Sequence, residues 1–170
     1  MEHTGVITFN GNPLTLLGNP VTKGSKAPDF TVLANDFSPR TLADYKDKIR
    51  IISVVPSLDT GVCDLQTKRF NAEAAYLKDH IQILTVSCDL PFAQARWCGA
   101  TSIANLETLS DYKDVSFGIN YGVLIKELRL LTRAIFVVDT SGIVTHTEIV
   151  TEVTETVDFS AALEAANAAK

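Results

Sequence analysis

Two β-branched apolar runs, IRIISVV at 49–55 and IQILTVS at 81–87, bracket a stretch whose apolar residues fall at helical spacing. That succession narrows what the chain can fold into more than any other feature. The first run has charged residues before it and Pro56 after it, so it reads as a buried strand. From Gly61 to about Asp79, Phe70, Ala74 and Leu77 recur at i, i+4 and i+7, and Asp64 and Lys68 form a favourable i,i+4 pair. A second helix is predicted from Asp89-Leu90-Pro91 through Cys98, with Pro91 in its first turn and Gly99 as its stop.

The flanks supply hairpins. VITF and LTLL surround Asn10-Gly11-Asn12-Pro13, a turn signal between short apolar runs, with the register left open by Pro13. FTVLA at 30–34 reads as a strand, and residues 106–109 as a short one before a helix near Val115–Tyr121. AIFVVD at 134–139, the turn Asp139-Thr140-Ser141-Gly142 and IVTHTEIV at 143–150 make the clearest hairpin, followed by an Ala-rich helix over 158–170. The order predicts an α/β fold: a central mixed sheet with helices on both faces plus an N-terminal β-hairpin. Of the common α/β architectures the thioredoxin-like one matches best. The 170 residues contain no linker or repeat and are predicted to form a single domain over 1–170.

Charge excludes some partners. Fifteen Lys and Arg against 20 Asp and Glu give a formal charge of -5 with no basic run, so neither nucleic acid nor an anionic membrane has an electrostatic footprint to bind. The N-terminus has no basic start followed by a long apolar run, and no segment reaches the roughly 18–20 apolar residues of a membrane helix. A soluble, cytoplasmic protein is expected. Three cysteines with no close pair argue against a secreted disulfide scaffold, which leaves buried hydrophobes or working thiols.

The segment Pro56-Ser57-Leu58-Asp59-Thr60-Gly61-Val62-Cys63 joins the first buried strand to the long helix. Thr60 is a good N-cap residue, which puts Cys63 at the third helical position, among unpaired amides and at the positive end of the helix dipole. Both effects favour thiolate over thiol, and thiolate is the nucleophile. Thr60 and Cys63, three residues apart, share a face, and Pro56 can wall a pocket without presenting an N–H. The residues alone leave a second reading open, in which Cys63 is a small buried hydrophobe at a helix start. Arg133, taken alone, reads as a surface arginine at a strand start.

Pro-x-x-x-Thr-x-x-Cys at a strand-to-helix junction resembles the active-site signature of peroxiredoxins. With DLPFAQARWCGA and TRAIFVVD the likeness extends over nearly the whole chain to the thiol peroxidase subfamily, atypical two-cysteine peroxiredoxins. The resemblance implies that Cys63 is the peroxidatic cysteine, attacking a hydroperoxide to give a sulfenic acid and releasing water or alcohol. It implies that Thr60 holds thiolate and peroxide, that Pro56 shields the pocket, and that Arg133 stabilises the thiolate and the departing oxygen. It also implies that Cys98 resolves the sulfenic acid as an intramolecular Cys63–Cys98 disulfide, reduced by thioredoxin, with no metal or other cofactor. Hydrogen peroxide and alkyl or lipid hydroperoxides are the implied substrates, alkyl and lipid ones preferred, and the implied assembly is a homodimer that Phe92 or Trp97 could line. Cys88, on the strand face of Leu84 and Val86, reads as a buried inert thiol.

Other chemistries fare worse. No C-x-x-C occurs, and His3, His80 and His146 are scattered, so neither a metal site nor a cysteine hydrolase has its residues in pattern. A redox sensor or relay, passing oxidation to a partner protein, would use the same thiols and is the rival reading. A catalytically silent thioredoxin-like binding module would have no need of Thr60, Cys63, Cys98 and Arg133 together.

Overall fold

A computed structural model of the chain describes residues 1–169. Strand β5 (Ile49–Val54) is buried at every position and pairs in parallel with β6 (Ile81–Ser87), which pairs in parallel with β7 (Glu107–Ser110). On the other side β5 meets β9 (Ala134–Val138) antiparallel, and β9 meets β10 (Val144–Ile149). The short strands β3 (Thr31–Leu33) and β4 (Pro39–Thr41) finish the other edge, giving the order β10-β9-β5-β6-β7-β3-β4. A single 3₁₀ turn, Leu42–Tyr45, leads into β5.

Alternation along the strands splits the core between two faces. Ile49, Ile51, Ile83, Ile135 and Val137 pack with Phe70 of α1 (Gly61–Ala74) and with Phe159, Ala162 and Ala166 of α4 (Phe159–Ala168). Ile52, Val54, Leu84, Val86 and Phe136 face the opposite way, toward Phe30 and toward Phe117 and Tyr121 at α3 (Ser116–Asn120). Each fully buried side chain of this size contributes about 1.5–3 kcal/mol relative to exposure. The arrangement is the expected thioredoxin-like sheet between helices, and no helix among the described residues is long and apolar enough to cross a membrane.

Local chemistry sets most boundaries. The N-terminal hairpin, β1 (Glu2–Phe9) and β2 (Asn12–Leu17), turns through Asn10 and Gly11, both at positive φ, with Pro13 opposite Thr8. Gly142, at φ +81°, closes the β9–β10 turn by donating to the Asp139 carbonyl. Asp158 caps α4 by accepting from the Ala161 amide, and the last residue of the helix predicted over 158–170, Lys170, lies outside the described residues. Helix α1 ends five residues before the predicted limit. There the amides of Ala75, Tyr76 and Leu77 turn to carbonyls three residues back, which keeps Leu77 on the core while the chain swings toward β6. Helix α2 (Pro91–Thr101) runs past the predicted stop at Gly99. It ends instead at Ser102, whose φ of +55° lets the Ser102 and Ile103 amides both reach the Cys98 carbonyl.

Strand pairing and a carboxylate are prominent among the contacts that hold the hairpin to the body. β8 (Leu124–Ile125) pairs with Leu16 and Leu17, and Glu152 gathers the hairpin's free donors. Its carboxylate accepts from the Asn10 and Gly11 amides at 3.0 Å each and from the Thr8 hydroxyl at 2.8 Å. The Gly11 amide, with the Thr154 and Thr8 hydroxyls, holds the Glu152 carboxyl down at about 2. A carboxylate depressed in the fold stabilises it above its unfolded value, near 4.5, and stops doing so as pH falls through about 2. Glu152→Gln should therefore lower the melting temperature at pH 7, and the gap to the wild type should close between pH 4.5 and 2. A gap that stays constant over that range in thermal melts would remove the carboxylate from the hairpin's docking.

Candidate active site

The loop leaving β5 runs through buried Pro56 to Thr60, the N-cap of α1, and Cys63 sits in the helix's first turn with none of its surface exposed. Thr60 has extended cap dihedrals, but its hydroxyl does not cap the helix amides. It lies 2.7 Å from Cys63 Sγ and 3.0 Å from the Ser57 carbonyl. From the far side Arg133, just before β9, brings Nη2 to 3.3 Å from the same sulfur. Arg133 is 2% exposed, so the reading of it as a surface residue does not hold. Thr60 and Arg133 thus converge on the Cys63 sulfur, Arg133 from 70 residues further along the chain than the cysteine.

What holds Arg133 decides its electrostatics. Nε donates to the Val153 carbonyl at 2.9 Å and Nη1 to Gln66 Oε1 at 2.7 Å. Gln66 Nε2 in turn donates to the Ser53 hydroxyl at 2.8 Å, which fixes which way its amide points. All of these partners are neutral, and among the described residues no carboxylate lies within 4 Å of the guanidinium. A buried cation without an anion is costly, and the third atom this guanidinium meets is the Cys63 sulfur. The positive end of the α1 dipole lies at the same sulfur. Gln66 was not singled out from sequence, although extending the stripe of Phe70, Ala74 and Leu77 back one turn reaches it.

Apolar residues close the sulfur in. Val55, Leu58 and Trp97 pack around Cys63, with Cys98 and Ile103 at the margin. Trp97 is buried, and its indole N–H donates to Asp64 Oδ1 at 3.0 Å, tying α2 to the first turn of α1. Cys98, next in sequence, is half-buried with its sulfur 3.4 Å from the Thr108 hydroxyl, at a cleft of about 330 Å³ that Asn35, Arg40 and Glu107 also line. Cys88 packs beside Leu84 and Val86 as expected, and burial, with Asp111 and Asp89 nearby, pushes its thiol up to about 12. All three cysteines are free.

A thioredoxin-like sheet presenting a sealed cysteine to a hydroxyl and an unpaired guanidinium is a frame for thiol-based redox chemistry. The AhpC/TSA family profile matches residues 23–147. The chain is 61% identical to a thiol peroxidase of Halalkalibacterium halodurans over 96% of its length and 98% of that protein's. It is 57% identical to a thiol peroxidase of Bacillus subtilis over 95% of its length and 96% of that protein's. The crystal structure of a peroxiredoxin-like protein from Aquifex aeolicus superposes with a TM-score of 0.87 at 35% identity, covering 96% of this chain and 97% of that one. The chain belongs to the AhpC/TSA family, in its thiol peroxidase branch, and is a thiol-dependent peroxidase.

The neutrality of Gln66 gives a direct test of the electrostatics. In Gln66→Glu the new carboxylate would compete with the sulfur for Arg133, so alkylation of Cys63 by iodoacetamide at pH 7 should slow by about tenfold or more. Peptide mapping by mass spectrometry reads the modified fraction over time. An unchanged rate would mean that the charge of Arg133 does not act on the sulfur.

Proposed function

We propose that Cys63 is the peroxidatic nucleophile of this enzyme and Cys98 its resolving thiol. The observation that carries the reading is the convergence of the Thr60 hydroxyl and Arg133 Nη2 on the Cys63 sulfur. The thiolate attacks the terminal oxygen of a hydroperoxide, the S–O bond forms as the O–O bond breaks, and the other oxygen leaves as alkoxide or hydroxide and takes up a proton. Thr60, exposed at the mouth, has one proton to place on sulfur or peroxide, while Arg133 balances charge that moves from sulfur to the leaving oxygen. Pro56 seals the pocket without an N–H that would compete for the sulfur. The apolar surround of Val55, Leu58 and Trp97 suits alkyl and lipid hydroperoxides better than hydrogen peroxide, though both are substrates.

The sulfenic acid then condenses with the Cys98 thiol, forming the disulfide and releasing water, and a thioredoxin dithiol reduces that bond. A disulfide needs Cα atoms within roughly 4.4–6.8 Å. Cys63 is sealed at the start of one intact helix, and on another helix Cys98 turns its sulfur to Thr108, which supports local unwinding of either segment before the bond forms. The Trp97–Asp64 bond spans the two segments and would break as either unwinds. For the homodimer, buried Trp97 is unavailable. Phe92, 71% exposed and 4.8 Å from the half-exposed Phe37 ring, offers the apolar surface for it.

Cys63→Ser should abolish hydroperoxide turnover with thioredoxin, thioredoxin reductase and NADPH, since a hydroxyl cannot replace the thiolate. Cys88→Ser should leave turnover nearly unchanged. Sizeable activity in Cys63→Ser, or loss of the disulfide in Cys88→Ser, would reassign the roles. One equivalent of peroxide should also shift Trp97 emission reversibly in the wild type, and Cys98→Ser should lose that shift while Cys63 becomes prone to overoxidation. Emission that does not respond while the disulfide forms would rule out unwinding around Trp97.

A further inference from the structure

The hydroxyl of Thr60 has one proton and two claimants, the Ser57 carbonyl at 3.0 Å and the Cys63 sulfur at 2.7 Å. Which of them receives it depends on where the Ser57 carbonyl points. That carbonyl also accepts the Thr60 amide at 3.2 Å, so the 57–60 turn is a small closed unit. Its orientation is fixed from outside, by a carboxylate on a different part of the chain.

Asp89 lies between β6 and α2, partly buried. Its Oδ1 accepts from the Ser57 hydroxyl at 2.7 Å, and its Oδ2 accepts from the Leu58 amide at 2.8 Å. Oδ2 also takes the Ser87 hydroxyl at 2.8 Å, which ties the carboxylate to the end of β6, and Ser110 donates its hydroxyl to the Asp89 backbone carbonyl, which ties the residue to the end of β7. No cation lies within ion-pair distance of it among the described residues, so its bonds go to hydroxyls and amides. The Leu58 N–H and the Ser57 C=O belong to one peptide unit. A trans peptide is planar with these two groups pointing in opposite directions, so gripping the N–H aims the C=O.

We infer that Asp89 is a positioning residue for the peroxide step: by holding the Ser57–Leu58 peptide plane it sets the direction of the Thr60 hydroxyl at the sulfur. The inference rests on the reading of Cys63 as the nucleophile. It gives a role to Asp89, which lies just outside α2 and does not cap it: the same carboxylate joins the loop beside Cys63 to the helix that carries Trp97 and Cys98. A misdirected hydroxyl would leave the fold intact and slow the attack, since errors in placing a reacting group of about 1 Å cost up to about a hundredfold.

The test is a double-mutant cycle on the rate at which Cys63 is oxidised by cumene hydroperoxide, with the sulfenic acid trapped by dimedone and counted by mass spectrometry. Asp89→Ala and Thr60→Val should each slow oxidation by about tenfold or more, and the double variant should match Thr60→Val alone within about twofold. Asp89→Asn, which keeps one oxygen for the Leu58 amide, should recover much of the rate. If Asp89→Ala does not fold, Ser57→Ala removes one of the two anchors and enters the same cycle with the same expected dependence on Thr60. A residue that only stabilises the fold would lower the melting temperature, and its effect would multiply with that of Thr60→Val. Multiplicative losses, or no loss from either anchor variant, would overturn the inference while leaving Cys63 as the nucleophile. Full oxidation rates in Thr60→Val would instead overturn the proposed role of Thr60 and this inference with it.

Discussion

A buried guanidinium with no carboxylate beside it among the described residues is the constraint on which the site depends. Arg133 directs one nitrogen to a carbonyl, one to an amide oxygen and one to sulfur, so its charge is solvated by dipoles but not cancelled. Such an arrangement is unfavourable to fold around unless something nearby carries the opposite charge. In the proposed mechanism the same imbalance serves Cys63, and it accounts for a neutral Gln66 where an acidic residue would make the tighter pair. Contrast Cys88, where burial, with Asp111 and Asp89 nearby, outweighs the charge of Arg129 and keeps the thiol protonated. Two cysteines in one small protein are thus given opposite electrostatic surroundings.

Around that charge the architecture supplies distance and direction. β9 fixes Arg133 from one side, α1 carries Cys63 and Gln66 on one stripe, and the β6–α2 junction reaches over to the 56–60 loop through Asp89. No element contributes more than two of these groups. The site therefore exists only when strands distant in sequence are paired, and the long-range register of β5 against β9 matters to it as much as the local helix cap.

Much of the frame could be read from the chain because its causes are local. β-branched runs, the Asn10-Gly11 turn and the Gly142 turn each act within a few residues, and their elements appear where expected. β8 could not be read, since a two-residue strand exists only by pairing across a long separation, as Leu16 does with Ile125, and β4, a local partner of β3, is Pro39-Arg40-Thr41 with no apolar alternation to mark it. Gly99 misled because glycine ends a helix only where the backbone turns left-handed, and here Ser102 takes that turn. In the site, Thr60 and Cys63 were legible from their three-residue spacing and Arg133 from its matching segment. Gln66 and Asp89 were not, because each is defined by a partner 67 or 31 residues away that no periodicity reveals.

The short segment at 152–153 faces two ways. The side chain of Glu152 collects the tip of the N-terminal hairpin, while the carbonyl of the next residue, Val153, receives Nε of Arg133, and Val153 in turn donates its amide to Thr8. The N-terminal hairpin is thereby one residue away from the backbone carbonyl that holds the buried cation. Anyone shortening this protein for crystallisation, or grafting a bulky fusion against its first strand, would be adjusting the seat of that cation as well as the outline of the molecule.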